Sequence, residues 1–147
     1  MTLPSACRRA ALAALLLVLG AAAWAAPGVG DVPPAELGSN MDGDKVLVSG
    51  FAGKAVVLTF WATWCPYCLK ELPVLENVQN KAGKERLQVI AVNTEERDVF
   101  RRASRIMRKA MTLELVSDAS GRAARADGVT GLPHMVIVGR DGRIVGI

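Results

Sequence analysis

This chain is short of most features that would announce a function. Only three of its 147 residues are cysteine and only one is histidine, so a metal site built from two thiols and His134 would be thin. Two of the cysteines, Cys65 and Cys68, lie so close that a bond between them would constrain little of the unfolded chain. They are therefore not read as a structural staple. Charge of one sign is also scarce: 18 Lys and Arg stand against 14 Asp and Glu, a formal +4. Taking Arg8 and Arg9 away with a removable N-terminus leaves 16 against 14, or +2. That balance gives no argument for nucleic acid as a partner. The length allows one domain and no second, and the roughly 120 residues of a mature portion still suffice to bury a core. No internal repeat and no low-complexity segment occurs beyond the N-terminus.

What is present begins with Arg8-Arg9, an uncharged Ala- and Leu-rich run from Ala10 to Ala26, and then Pro and Gly. Residues 1 to 25 read as a secretory signal, cut after Ala23-Trp24-Ala25, with Ala26 as a rival position. An uncleaved anchor is the competing reading, because the charge-free span approaches the ~20 residues a bilayer needs. Both readings put the domain outside the cytoplasm, periplasmic or tethered to the inner membrane. The rest of a twin-arginine signal is missing, and Cys7 precedes the apolar run, where it is a passenger of the signal.

Residues 26 to 43, rich in Pro, Gly and Asp, read as a linker, and 44 to 147 as the domain. Asp44 to Val48 suggests a short strand, and Ala55 to Trp61, continuously apolar except for Thr59, a buried one. Pro66 to about Asn80 follows as a helix with Leu69, Leu72, Leu75 and Val78 or Gln79 inward, and Pro73 is expected to kink it. Leu87 to Val92 is a second central strand, parallel to the first through a right-handed crossover. Glu96 to Ala110 is an amphipathic helix with Val99, Phe100, Ala103, Ile106, Met107 and Ala110 inward. Its outward Arg97, Arg101, Arg105, Arg108 and Lys109 read as a solvated face, with docking on anionic lipid or a partner as the alternative. A short strand at Leu113 to Val116 and a short helix at Ala119 to Ala126 precede a closing hairpin. That hairpin joins Met135–Val138 and Arg143–Ile147 through Asp141-Gly142. Helices should then cover both faces of a mixed sheet.

The chemistry gathers at Trp61-Ala62-Thr63-Trp64-Cys65-Pro66-Tyr67-Cys68. A cysteine at a strand-to-helix junction meets unpaired N–H groups and the positive end of the helix dipole, which favour its thiolate. Cys65 is thus the expected nucleophile. Cys68, about one turn on, can attack a mixed disulfide on Cys65 and resolve it. Pro66 suits the first helical position.

Those eight residues after an apolar strand, together with Glu71, Pro73 and Gly131-Leu132-Pro133 before an apolar hairpin, resemble a thioredoxin-fold protein. More narrowly, they resemble the exported TlpA/ResA/DsbE-like thiol-disulfide oxidoreductases, over residues 31 to 147. The resemblance implies an α/β three-layer fold with a central mixed sheet. It also implies a redox-active Cys65–Cys68 disulfide with neither metal nor cofactor, and a cis Pro133 beside it. Glu71 would exchange a proton with Cys68 if partial burial raises its pKa. Trp64, Pro66, Tyr67, Leu132, Pro133 and His134 would bind substrate, Trp64 covering the site.

Its implied partners are a cysteine-containing exported protein such as apocytochrome c and a membrane electron donor, the protein itself being a monomer. Three positions depart from the pattern. Thr59 stands where cytoplasmic thioredoxins bury an Asp, His134 where relatives commonly carry Thr, and the chain stops at Ile147 without the relatives' C-terminal helix. One sheet face would then lack its cover. The leading expectation is a protein-disulfide reductase. A DsbA-like oxidant, a Cu(I) or Zn metallochaperone using the same thiols, and an inactive remnant stay open.

Overall fold

The computed structural model describes residues 25–147. The segment read as a signal or anchor, up to residue 24, lies outside them. Among the described residues no helix is long and apolar enough to cross a membrane.

Continuous apolar runs make the centre of the molecule. Strand β3 (Ala55–Trp61) and strand β4 (Leu87–Asn93) pair in parallel, buried from both sides, as an unalternating run of Val, Leu and Ile requires. Helix α1 (Pro66–Ala82) makes the crossover between them. Helix α2 (Arg97–Met107) leads on to β5 (Glu114–Ser117), also parallel to β4. Helix α3 (Arg122–Ala126) precedes β6 (His134–Val138) and β7 (Ile144–Gly146), the predicted hairpin. With β1 (Glu36–Ser39) and β2 (Lys45–Leu47), the sheet runs β2-β1-β5-β4-β3-β6-β7.

Strand alternation divides the core in two. Val56, Leu58, Phe60, Ile90 and Val92 face a layer that includes Ala123 of α3, whereas Val57, Trp61, Val89 and Ala91 face α1 and α2. Helices do cover both faces, and both cysteines belong to the second layer.

Helical phase corrects two of the expected inward sets. Cys68, Leu72, Leu75, Glu76 and Gln79 form the buried stripe of α1, so Leu69 and Val78, each a step off that stripe, stand 47% and 45% exposed. On α2 the stripe is Phe100, Ala103, Ser104 and Met107; Ile106 falls about 120° away from Phe100 and is 72% exposed. Ala110, beyond the helix, is exposed too. Arg97 leaves the solvated face and donates to the Asn40 carbonyl at 3.2 Å. Helix α1 continues through Pro73 to Ala82.

The stretch read as a linker is part of the sheet. Strand β1 lies between β2 and β5, with Leu37 fully buried. A strand with one core residue in four gives too short an alternation to be recognised. Upstream of it, the Gly30 N–H donates to the Ile144 carbonyl and the Ile144 N–H to the Asp31 carbonyl, each at 2.8 Å. The Arg143 guanidinium adds a bond to the Gly30 carbonyl at 2.8 Å. The leader therefore covers the free edge of β7, a position that otherwise invites strand addition. Pro33 is buried, and Val32, Pro33, Val48 and Phe51 line one cleft with Val56 and Val138. The layer of Val56 and Val138 is closed from this side, at 2% and 1% exposure, whereas Ile137 and Val145 on the opposite face of the hairpin stand 37% and 56% exposed, as expected of a face without its cover.

One buried carboxyl lacks compensation. Asp127 is 2% exposed, and neither of its carboxylate oxygens has a hydrogen-bond partner. Burial, and then the nearby Asp118 charge, push its pKa from 3.8 up to about 7. An acid whose pKa is raised by folding stabilises the fold below its unfolded value, and this contribution is lost as pH rises through the folded one. Asp127→Asn should therefore flatten the loss of stability between about pH 4 and 7 and leave the variant more stable by about 1–3 kcal/mol above pH 7. Urea denaturation at a series of pH values reads both effects. Parallel wild-type and variant curves would contradict them.

Candidate active site

The site sits where β3 gives way to α1. The Cys65 N–H donates to the Ala62 carbonyl at 3.2 Å, closing a four-residue turn through Thr63 and Trp64. Cys65 is then the N-cap of α1, in extended conformation, with Pro66 opening the helix. Its Sγ accepts the Cys68 N–H at 3.2 Å, the bond that an N-cap side chain offers one of the unpaired donors of a helix. Cys65 and Cys68 form a disulfide, with their Cα atoms 5.3 Å apart. Cys68 is fully buried and Cys65 is 3% exposed, so what little access exists belongs to the first cysteine.

Glu71 lies one turn beyond Cys68 on the same side of α1, half-buried. The Thr59 hydroxyl donates to its Oε2 at 3.0 Å. Thr59 is fully buried and shares the cysteines' side of β3 with Val57 and Trp61. The position that lacks an acid thus draws Glu71 inward, between strand and helix.

The loop before β6 supplies the other wall. Its Leu132-Pro133 peptide is cis. Antiparallel pairing of β6 with β3 sets Phe60 against His134 and Thr59 against Met135, which brings Pro133 to the end of β3 where the cysteine turn begins. Leu132 packs against both core layers. Trp64, Tyr67, Pro66 and Pro133 are exposed. At 69% and 73% exposure, Trp64 and Tyr67 flank Cys65 and Pro66 along the chain as an exposed apolar rim. The Lys70 ammonium stands 5.9 Å above the Tyr67 ring.

His134 belongs to the strand rather than to a surface loop. Its ring meets Phe60 edge-on at 6.0 Å, in the layer away from the sulfurs. Burial lowers its pKa. It is turned from the sulfurs for the simplest reason of strand geometry, that neighbouring side chains point to opposite faces. By the same alternation Met135, which sequence reasoning passed over, packs with the cysteines. Cys65, Cys68 and His134 consequently do not converge as one ligand set, and among the described residues no group of three or more His, Cys, Asp and Glu could hold a metal.

A second omission is Glu95, just past β4. Both of its carboxylate oxygens accept bonds from Thr63, in the turn before Cys65. The signal available for it was topological: parallel strands end together, and pairing of Trp61 with Asn93 places the residues that follow each side by side.

Comparison with known proteins agrees with this geometry. The family model described as Redoxin matches residues 28–147. The thiol-disulfide oxidoreductase ResA of Bacillus thuringiensis subsp. konkukian is 26% identical over 117 residues, covering 80% of this chain and 67% of that protein. The chain thus spans about two thirds of that relative's own length. A crystal structure from Chlorobium tepidum, of a candidate thiol:disulfide interchange protein DsbE, matches with a TM-score of 0.72 at 26% identity. The match covers 82% of this chain and 84% of that one. A secreted Mycobacterium tuberculosis disulfide oxidoreductase homologous to E. coli DsbE matches with a TM-score of 0.61 at 25% identity, over 73% and 78% of the two chains.

Proposed function

Since the chain belongs to the Redoxin family and is a thiol-disulfide oxidoreductase of ResA/DsbE type with a thioredoxin-like fold, we propose that it works as a reductase of protein disulfides outside the cytoplasm. The observation that carries the exchange chemistry of this reading is the Cys65 sulfur at the cap of α1, accepting the Cys68 N–H, while the reducing direction rests on the likeness to ResA. That donor and the helix dipole stabilise negative charge on Cys65 once the disulfide is opened.

In the cycle the Cys65 thiolate attacks a substrate disulfide, forming a mixed disulfide and releasing one substrate thiolate. Cys68, deprotonated, then attacks Cys65 Sγ; the second substrate sulfur leaves, and the two electrons gained by the substrate are those lost in forming the Cys65–Cys68 bond. Glu71, held by Thr59 one turn beyond Cys68, takes the Cys68 proton and returns it on re-reduction. Leu132, the cis Pro133 and the exposed rim of Trp64, Pro66 and Tyr67 receive a cysteine-containing peptide. A membrane electron donor restores the dithiol. Apocytochrome c is a fitting client, and the uncharged stretch from Ala10 to Ala26 fits export or tethering; the Mycobacterium relative is itself described as secreted.

The direction of electron flow is tested by equilibrating the purified domain with glutathione. Thioredoxin-like centres span ~−270 to −120 mV. A potential toward the negative end, with rapid reduction of insulin disulfides, is the expected result. A value near the positive end would sink the reductase reading and leave a disulfide oxidant.

A further inference from the structure

We propose that Glu95 is a positioning residue that holds the turn before Cys65 and, through its fixed negative charge, biases the cysteine pair toward the disulfide. This rests on the reductase reading above and says where its reducing bias comes from.

Four bonds define the contact. The Thr63 N–H donates to Glu95 Oε2 at 2.6 Å, and the Thr63 hydroxyl donates to Oε1 at 2.8 Å. Asn93 Nδ2 donates to Oε2 at 3.1 Å, while Asn93 Oδ1 accepts the Glu95 N–H at 3.0 Å. Asn93 is itself fully buried at the end of β4, and its carbonyl accepts the Asp118 N–H at 2.8 Å. The Thr94 N–H reaches the Trp61 carbonyl at 3.1 Å. The carboxylate is therefore anchored to the rigid end of the central sheet and grips Thr63, in the turn, across the gap between the ends of β3 and β4. An exposed glutamate in a loop would need none of these bonds, and charge-assisted bonds accepted on both oxygens are the strong kind.

The electrical consequence follows from position. Thr63 precedes Cys65 by two residues, so a carboxylate bonded to its N–H lies on the order of 10 Å or less from Sγ. A like charge at that range disfavours the thiolate. The helix cap stabilises Cys65 as an anion, and Glu95 opposes it. Because a destabilised thiolate destabilises the reduced state, the pair gives up its electrons more readily. Glu95 thus keeps the centre on the reducing side while fixing the turn that aims the sulfur.

The test uses Glu95→Gln and Thr63→Ala in the full mature domain, reading Cys65 titration by thiolate absorbance and the glutathione equilibrium. In that equilibrium the Cys65–Cys68 bond breaks as a glutathione disulfide forms; two glutathione thiols are oxidised and their protons pass to the two cysteines. Glu95→Gln keeps the shape and removes the charge. It should lower the Cys65 pKa by about half a unit and move the equilibrium about threefold toward the dithiol. Thr63→Ala keeps the charge but removes a hydroxyl that partly neutralises it, so both readouts should move the opposite way. A purely structural contact would loosen the turn in both variants, giving shifts of the same sign or none, and either result overturns the proposal. If Glu95→Gln fails to fold, the Thr63→Ala arm decides alone: absence of a rise overturns it. Failure of the wild type to reduce insulin would instead count against the reductase reading, because the titration of Cys65 does not depend on it.

Discussion

With Cys68 replaced by alanine, the protein should capture its substrates and keep them. Attack by Cys65 still proceeds, but the mixed disulfide has lost its built-in exit. Cys68 performs that exit as an intramolecular step, with the two Cα atoms 5.3 Å apart, and such steps reach effective molarities far above any free thiol concentration. Turnover of insulin disulfides should therefore fall by about 10³-fold or more, while a covalent adduct builds up on non-reducing gels. Cys65→Ala should fall as far and form no adduct. An adduct on the Cys65→Ala variant would reverse the assigned order, which otherwise agrees with full burial of Cys68 and the slight exposure of Cys65. Expressed in an exporting cell, the Cys68→Ala protein also identifies the client. Recovery of apocytochrome c or its maturation partners supports the narrow assignment, and a broad set of exported proteins supports a general folding role.

A single methyl group on Gly38 should be the most damaging small substitution outside the site. Gly38 has φ +126°, and a Cβ there would collide with the Ser117 carbonyl oxygen of the neighbouring strand. The obstacle is backbone held by sheet pairing at Ser39 and Ser117, so it cannot swing aside as a side chain would. Gly38→Ala should cost about 3 kcal/mol or more, combining unfavourable dihedrals with overpacking. Gly43→Ala provides the contrast: its φ is +97° but the space around it is open, so only the backbone term of about 1–2 kcal/mol applies. Urea denaturation of the two variants separates collision from conformation. Equal losses would mean that β1 is not packed against β5 as described.

Residues whose role is local were legible from the sequence. Cys65, Cys68 and Pro66 advertise themselves because strand-to-helix junction, spacing and cap chemistry all lie within one short stretch, and β3, β4 and the closing hairpin carry unbroken apolar patterns. What was hidden depends on elements far apart. Strand β1 has one core residue and sits among Pro, Gly and Asp that read as punctuation. Whether His134 or Met135 faces the sulfurs turns on a strand boundary one residue away, and a shift of one reverses every side chain. Trp64 stands 69% exposed beside the buried cysteine pair, an exposure that its bulk and apolar character do not suggest. Glu95 looked like one of many surface acids until the ends of β3 and β4 were brought side by side.

The leader that fastens to β7 has a bearing on the order in which this molecule becomes complete. Its Gly30 carbonyl is held by a residue 113 positions downstream, and β1 waits for β5. A chain made from its N-terminus therefore carries Gly30 and Asp31 without these partners until Arg143 and Ile144 exist. The central β3–α1–β4 unit can form from local contacts, whereas both borders of the sheet close only across long loops, whose entropy makes such pairing slow. Completion after synthesis, rather than during it, is the order these long-range pairings favour, and it is compatible with the export proposed for this chain.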